Sequence, residues 1–136
     1  MPHRSAHAEI VEFLARYGRA LADGDLDAIA ASYDHPSAVV GEAGTTVVAD
    51  ADEIRALFAG STEQYARLGV VTAVAGVEHT RTAGDGSGRL WTVDVRWSYR
   101  DSNDFERATE SYLYVLRDSG EAFTIAAVVP RPPDRS

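Results

Sequence analysis

The sequence predicts a single α+β domain, in which helices come first and an antiparallel sheet follows. Three observations support this prediction. Apolar residues mostly recur at every third or fourth position as far as Leu68, they alternate at every second position from Val70 onward, and the polar breaks between the later segments are short. Because the first spacing favours helices and the second favours strands, the change near Gly69 separates a helical part from a sheet part.

The composition fits one globular domain. The chain has 136 residues, of which 45% are hydrophobic and 25% are charged, which suffices for one core. Its net charge of -8 disfavours nucleic-acid phosphates and anionic membrane surfaces as partners. The absence of cysteine excludes disulfides, thiolate metal sites and cysteine nucleophiles. No apolar signal-peptide segment follows the first residues, so we expect a cytoplasmic protein.

Two helices are expected before Pro36. Ser5 is a suitable N-cap for the first helix, and Gly24 can take the left-handed conformation that ends it. Its apolar stripe consists of Ile10, Phe13, Leu14, Tyr17 and Leu21. Asp25 can cap a short second helix, which is expected to end before the proline. This helix carries Leu26, Ile29 and Tyr33.

A short hairpin and a third helix are expected next. The hairpin covers residues 39–48 and turns at Glu42, Ala43 and Gly44. Asp50 followed by Glu53 is a capping-box pattern, and it opens a helix that ends at Gly69. The apolar face of this helix consists of Ile54, Leu57, Phe58, Tyr65 and Leu68.

Four strands are expected in the rest of the chain. They cover residues 70–82, 90–100, 107–117 and 122–129. The segments between them are rich in Gly, Asp, Ser and Asn and are short enough for hairpins, which predicts antiparallel neighbours. The single domain is therefore expected to span residues 1–136, ordered over about 5–130, with a frayed tail at 131–136.

The second of these strands distinguishes the two faces of the sheet. One face carries Trp91, Val93, Val95, Trp97 and Tyr99, and the other carries Thr92, Asp94, Arg96 and Ser98. We expect the aromatic face to pack against the helices, where it would line a small-molecule cavity. The alternative is that both tryptophans simply fill the core.

The third strand is apolar on both faces. If Leu113 and Val115 point toward the helices, Tyr112 and Tyr114 point outward. An outward aromatic pair is expected to form a homodimer interface. The alternative is that the two tyrosines stay exposed, since their hydroxyl groups tolerate water.

The stretch from Ala15 to Tyr33 resembles the nuclear transport factor 2-like superfamily, which includes SnoaL-like and ketosteroid isomerase-like proteins. The resemblance rests on Ala15-Arg16-Tyr17, the helix restart Gly24-Asp25-Leu26-Asp27, and Tyr33. It implies a cystatin-like roll: a cone-shaped, curved antiparallel sheet with N-terminal helices on its concave face, a pocket between them, and usually a dimer. This fold hosts isomerases, dehydratases, cyclases, epoxide hydrolases and non-catalytic modules, so it does not specify a function.

The ketosteroid isomerase pattern carries over only in part. Tyr17 falls where those enzymes place a hydrogen-bonding tyrosine. The position of their general-base aspartate falls near Gly41, beside Glu42, and that of their protonated aspartic acid falls on Leu113. Their chemistry needs a base and two acidic donors, so the resemblance argues against steroid isomerase activity here.

The polar residues best placed to act in a pocket are His35, Glu42 and Tyr17, which are the candidate catalytic residues. His35 follows the second helix at the expected cavity mouth and can serve as acid or base near neutral pH. The alternative is a loop histidine bonded to a nearby carbonyl. The residues expected to line the pocket are Tyr17, Phe58, Trp91, Val95, Trp97, Tyr99 and Leu113.

The remaining motifs are expected to be structural. Asp94 and Arg96 form an arrangement that resembles limonene epoxide hydrolase-like proteins, but the alternation points both outward, where a cross-strand ion pair on the surface or at a dimer seam is expected. His3 and His7 have a metal-chelating spacing without a third ligand, so no metal or cofactor is expected. The glycine-rich segment 84–88 joins two strands and is not a phosphate loop.

Two functional hypotheses follow from the sequence. The first is a pocket protein for a small, mostly apolar molecule, and it includes cofactor-free acid–base enzymes of the isomerase, dehydratase or cyclase type. The second is a non-catalytic dimeric module that binds a ligand passively or presents its outer sheet to a protein partner. A cavity that holds a water-shielded His or Glu favours the first hypothesis. A cavity filled by Trp91, Trp97 and Phe58 favours the second.

Overall fold

Three helices and six strands make up residues 5–132, the part of the chain that the computed structural model describes. The helices are α1 (Ala6–Asp23), α2 (Leu26–Ala31) and α3 (Ala51–Arg67). The strands are β1 (Tyr33–Gly41), β2 (Gly44–Val48), β3 (Thr72–Thr82), β4 (Leu90–Arg100), β5 (Glu106–Asp118) and β6 (Phe123–Pro130). The predicted α+β class and the predicted order of elements are confirmed. His3 and residues 133–136 of the predicted tail lie outside the described residues.

The helices begin at the residues that the sequence predicts as caps. Ser5, Asp25 and Asp50 each accept, through the side chain, a hydrogen bond from the backbone N–H three residues ahead, at 3.0 to 3.1 Å. Gly24 ends α1 with a φ of 66°, the left-handed region that glycine enters without strain. No helix among the described residues is long and apolar enough to span a membrane.

The six strands form one curved sheet that does not close, in the order β2-β1-β6-β5-β4-β3. Strands β3 to β6 are antiparallel neighbours, as predicted, but β1 runs parallel to β6, so the sheet is mixed. The pairing with β6 also changes the start of β1. Tyr33, predicted on the second helix, begins the strand instead, because the backbone carbonyl of Ser32 already accepts a hydrogen bond from the Ile125 N–H at 2.8 Å.

The core lies between the helices and the concave face of the sheet. Its largest fully buried side chains include Trp97, Tyr99, Ile10, Leu14, Ile29, Ile54, Leu116 and Ile125. Helix α1 approaches β3 and β4 most closely at Gly18. A Cβ at this position would lie 2.7 Å from the Ala73 carbonyl oxygen and 2.9 Å from the Trp97 ring. The absence of a side chain at Gly18 is therefore what permits this packing distance.

The predicted alternation of β4 is confirmed. Val93, Val95, Trp97 and Tyr99 are buried on the concave face. Trp91 is only half-buried, near the start of the strand, where its Nε1 donates a hydrogen bond to the Gly88 carbonyl oxygen at 2.8 Å.

The predicted faces of β5 are wrong. Tyr112 lies opposite Val95, and Tyr114 lies opposite Val93. Since directly opposed residues of an antiparallel pair share a face, both tyrosines point toward the helices. Leu113, predicted to point inward, lies opposite the outward-facing Asp94. The homodimer interface predicted from Tyr112 and Tyr114 is consequently not on the outer face.

A β-bulge explains this reversal. Arg100 pairs with Glu106, whereas Tyr99 pairs with Ala108, so Arg107 is an extra residue on β5. One extra residue shifts the register by one position, which sends every later side chain of the strand to the opposite face. The short break at 101–105 gives no indication of this bulge in the sequence.

Candidate functional site

A cavity of about 200 Å³ lies between two helices and the concave face of the sheet. The residues that line it are Tyr17 and Leu21 of α1, Leu57, Phe58, Ser61 and Tyr65 of α3, and Tyr33, Val39, Tyr99, Glu110, Tyr112, Tyr114 and Val128 of the sheet. The lining positions on α3 recur three or four residues apart, which places them on one face of that helix. Leu57 is the lining residue among the exposed large hydrophobic side chains, at 41% exposure.

Tyrosines are the main component of the wall. The sequence contains six tyrosines, and all six line this cavity, which we call the tyrosine cavity. Tyr65 stacks on Tyr99 with ring centroids 4.6 Å apart and an interplanar angle of 25°. The rings of Tyr17 and Tyr33 meet edge to face at 70°. Rings in several orientations therefore surround one small volume.

Glu110 is the acidic residue among those that line the cavity. Its Oε1 accepts a hydrogen bond from the Tyr65 hydroxyl at 2.7 Å, and its Oε2 accepts one from the Tyr112 hydroxyl at 2.6 Å. Both oxygens thus act as acceptors, which is the pattern of an ionised carboxylate. Helix α3 and strand β5 together orient this group, while the remaining lone pairs of its oxygens can accept hydrogen bonds from a ligand.

Tyr17 and Tyr33 form a second polar feature of the cavity. Their hydroxyl oxygens lie 2.6 Å apart, so one hydroxyl donates to the other and one proton stays available for a further acceptor. Burial is the main cause that raises the pKa of both phenols, and for Tyr17 the neighbouring Tyr33 adds to the effect. Both side chains are therefore neutral hydrogen-bond donors near neutral pH.

Tyr114 provides a further donor. Its oxygen accepts a hydrogen bond from the Trp97 Nε1 at 2.8 Å, and this contact leaves its own O–H free to donate. Burial raises the pKa of Tyr114, which keeps this hydroxyl protonated. Trp97 does not line the cavity, but it fixes the position of a group that does.

The tyrosine cavity thus combines one acceptor with several donors inside a mostly aromatic wall. Such a site can hold a small apolar molecule and orient its polar atoms. It also has the elements of acid–base chemistry, since Glu110 can accept a proton and a phenol can donate a hydrogen bond. Among the residues that the structure describes, no group of three or more His, Asp or Glu side chains is placed to hold a metal ion.

Comparison with known families identifies the chain. Residues 8–133 match a family model described as NTF2-like protein (DUF6841). The chain belongs to this NTF2-like family. The match covers almost the whole chain, so the predicted membership in the nuclear transport factor 2-like superfamily is confirmed.

Solved structures resemble this NTF2-like protein in fold. A domain of unknown function with a cystatin-like fold from Nostoc punctiforme has a TM-score of 0.70 and 16% identity, over 97% of this chain and 81% of that one. A putative calcium/calmodulin dependent protein kinase II association domain from Xanthomonas campestris has a TM-score of 0.66 and 15% identity, over 98% and 94%. An NTF-2 like protein of unknown function from Shewanella oneidensis has a TM-score of 0.65 and 16% identity, over 91% and 97%. At these identities, the similarity establishes the fold alone. Comparison with curated proteins gives no significant match.

The structure places the pocket residues predicted from the sequence in three different environments. Tyr17, Phe58 and Tyr99 line the tyrosine cavity of the NTF2-like domain. Val95 and Trp97 are fully buried in the core. Trp91 does not line the cavity, and Leu113 instead borders a separate pocket with His79, Thr92 and Asp94. The bulge in β5 explains why Leu113 points outward and not into the cavity.

The candidate catalytic residues are not brought together. His35 is exposed on β1, and its Nε2 lies 3.2 Å from the Ala30 carbonyl oxygen, which matches the alternative considered for it. Glu42 is exposed in the turn between β1 and β2. Neither residue lines the tyrosine cavity, so Tyr17 is the member of the trio found there.

Several lining residues were not predicted from the sequence. Glu110 and Tyr65 are the most important of them, because they form the polar end of the cavity. Glu110 has the same parity along β5 as Tyr112 and Tyr114, so a correct register would have placed all three inside. Asp94 faces outward, as predicted, and its Oδ1 lies 3.6 Å from the Nε of Arg131.

Proposed function

We propose that this NTF2-like protein binds a small, largely apolar molecule in the tyrosine cavity and holds the polar group of that molecule at Glu110. The observation that supports this proposal is a carboxylate inside an aromatic cavity, with each oxygen fixed by a tyrosine hydroxyl. A half-buried carboxylate costs free energy unless its oxygens are hydrogen-bonded, and the two tyrosine hydroxyls supply these bonds while they orient Glu110 at the cavity.

The size of the cavity limits the ligand. Its volume of about 200 Å³ lies below the range of about 300 to 1,000 Å³ that is typical of pockets for drug-sized molecules. The ligand is therefore a compact molecule of one ring or a short branched chain, with one or two polar atoms.

Native mass spectrometry of the purified protein tests this proposal. Ser61 lines the cavity from α3, so Ser61→Trp should fill the cavity, whereas Gln64→Trp places the same indole on an exposed position of the same helix. We expect a bound small molecule, or a small molecule recovered from a fragment screen, to be retained by Gln64→Trp and lost by Ser61→Trp. Equal retention by both variants would place binding outside the tyrosine cavity.

Cofactor-free acid–base catalysis is the second candidate function. The specific observation in its favour is that an acceptor, Glu110, and a free donor of the Tyr17–Tyr33 pair line one cavity. The sequence criterion is a water-shielded His or Glu in the cavity; Glu110 lines the cavity but is half-buried, and the arrangement suits an isomerase, dehydratase or cyclase. For any substrate found, Glu110→Gln should lower turnover by at least about 100-fold while binding persists. Unchanged turnover would exclude Glu110 as the base.

The homodimer remains a prediction from the family resemblance. The tyrosine interface first assigned to it lies inside the cavity, so a dimer would have to use other residues. Sedimentation analysis at high protein concentration tests it, and a monomer there would count against the non-catalytic dimeric module. A cytoplasmic location likewise remains a proposal.

A further inference from the structure

We infer that the ligand of the tyrosine cavity is a small organic cation of the alkylammonium class. The inference rests on the proposed binding function and adds the charge of the ligand. It combines three independent features: the charge balance of the cavity wall, the aromatic groups of that wall, and the net charge of the whole chain.

The first feature is the uncompensated charge of the cavity. Glu110 is the one acidic residue among those that line it, and no arginine or histidine lines it with Glu110. The chain contains no lysine at all. A bound anion would meet this carboxylate without a counter-charge, whereas a cation would be paired with it.

The hydrogen bonds of Glu110 do not remove this charge. Tyr65 and Tyr112 donate to the carboxylate, but burial raises the pKa of both phenols, so they stay neutral and bring no positive charge. They hold the carboxylate in place, and at least one lone pair of each oxygen is still directed elsewhere.

Two other half-buried carboxylates of this fold, Asp34 and Asp94, have an arginine partner. Asp34 lies 2.7 Å from the Nε of Arg117, and Asp94 lies 3.6 Å from the Nε of Arg131. Arginine compensates these two carboxylates, and none of the residues that line the cavity does so for Glu110. A cationic ligand bound in the cavity would supply the positive charge that Glu110 lacks.

The second feature is the aromatic wall. A cation gains free energy within about 6 Å of the face of an aromatic ring, and the gain is larger when water is excluded. In a cavity of about 200 Å³ that is lined by six tyrosines and Phe58, aromatic rings are the main neighbours of any bound cation. The tilted pairs Tyr33–Phe58, at 46°, and Tyr112–Tyr114, at 50°, show that these rings face different directions. A neutral ligand gains no comparable charge–quadrupole attraction.

The third feature is the net charge of -8, which raises the concentration of cations near the protein and speeds their association. This effect does not select a site by itself. The negative net charge attracts a cationic ligand toward the protein, whereas it repels an anionic ligand.

A charge series of ligands with one shape tests the inference. Cyclohexylammonium, cyclohexanol and cyclohexanecarboxylate share a ring that fits a small cavity and differ in the charge of the polar group. Titration calorimetry at neutral pH, supported by NMR shift mapping to the cavity, should show cyclohexylammonium binding at least about tenfold more tightly than cyclohexanol, with the carboxylate weakest.

Two variants of the same type locate the cause of this preference. Glu110→Gln removes the charge with little change of shape, and it should remove most of the advantage of the ammonium over the alcohol, leaving the smaller part that the aromatic rings supply. Glu106→Gln makes the same change in net charge on the same strand, at a side chain that lies outside the cavity and contacts Ser98 and Arg96. It should leave the preference unchanged.

The outcomes separate this inference from the proposed function. If the ammonium and the alcohol bind with equal affinity and Ser61→Trp abolishes the binding of both, the inference of a cationic ligand is overturned and the cavity is supported as a binding site. An undiminished preference in Glu110→Gln would also overturn the inference, because Glu110 would then not be the group that pairs with the cation. Failure of all three compounds to bind at millimolar concentration would count against both. The comparison on the unmodified protein needs no variant, so it holds even if Glu110→Gln folds poorly.

Discussion

Individual hydroxyl groups determine the polar character of this cavity. The Tyr114 oxygen is the acceptor of the buried Trp97 N–H, and it also lines the cavity. An indole N–H that is fully buried needs an acceptor, because desolvation without one costs about 1 to 3 kcal/mol. The hydroxyl of Tyr114 therefore connects the stability of the core to the chemistry of the site.

Replacing this hydroxyl gives a direct test. Tyr114→Phe should lower the free energy of unfolding by about 1 to 3 kcal/mol, because the Trp97 N–H loses its acceptor. Tyr33→Phe is the control, since it removes a hydroxyl whose partner, Tyr17, still faces the cavity, and we expect a smaller loss. Urea unfolding of both variants measures the difference. Equal losses would mean that the indole finds another acceptor.

Single elements of the fold set the distances within the cavity. Helix α1 carries Tyr17, and Gly18 permits the close packing of this helix on the sheet. A Cβ at Gly18 would come within 3.0 Å of both Ala73 and Trp97. A backbone oxygen and a buried indole cannot move aside easily. The position of Tyr17 in the cavity therefore depends on the glycine next to it.

Gly18→Ala should consequently destabilise the protein by about 1 to 3 kcal/mol through overpacking, although alanine favours helix formation. Gly60→Ala in α3 is a matched control, because a Cβ there would meet no atom within 4 Å beyond its chain neighbours and its own helix backbone. It should raise the free energy of unfolding by about 0.5 to 1 kcal/mol through helix propensity alone. Thermal unfolding of both variants checks the prediction, and stabilisation by Gly18→Ala would contradict the close approach of α1.

The register of β5 is a second property of a single element that can be measured. With the observed bulge, Leu116 is fully buried and Leu113 borders the outer face. Leu116→Ala should therefore cost about 2 to 5 kcal/mol, whereas Leu113→Ala should cost less than about 1 kcal/mol. Chemical denaturation of the two variants compares them. A larger loss of stability for Leu113→Ala than for Leu116→Ala would contradict the observed register and support the one expected from the sequence.

Local patterns in the sequence predict much of this fold. The caps at Ser5 and Asp50 and the alternation along β4 depend only on neighbouring residues, and the structure has them as predicted. The faces of β5 depend on one extra residue in a turn, and the parallel pairing of β1 with β6 depends on strands far apart in sequence. Neither has a local signal, so Glu110, whose place in the cavity depends on that register, was missed.

At the scale of the whole molecule, the cavity gathers tyrosines from both the helices and the sheet. Tyr17 comes from α1, Tyr65 from α3, and Tyr33, Tyr99, Tyr112 and Tyr114 from four different positions in the sheet. Their phenols are neutral in the folded protein because burial raises their pKa. Folding and the protonation of these tyrosines are therefore coupled.

This coupling predicts a loss of stability at alkaline pH. In the unfolded chain, a tyrosine loses its proton near pH 10, whereas buried Tyr17, Tyr33 and Tyr114 keep theirs to higher pH. Above about pH 10 the unfolded state binds fewer protons than the folded state, so the free energy of unfolding falls as pH rises. Each such tyrosine contributes about 1.4 kcal/mol per pH unit, and the contribution is complete below pH 10.

The composition of the chain simplifies the test of this prediction. The chain has neither lysine nor cysteine, so tyrosine is the side-chain type expected to titrate between about pH 9 and 11.5. Urea unfolding at closely spaced pH values should show the decline, together with tyrosinate absorbance that appears only on unfolding. Replacing both Tyr17 and Tyr33 with phenylalanine should reduce the slope of the free energy of unfolding against pH by an amount that corresponds to about two protons. A stability that stays constant up to pH 11, or tyrosinate absorbance in the folded protein near pH 10, would contradict the burial of these phenols in the tyrosine cavity.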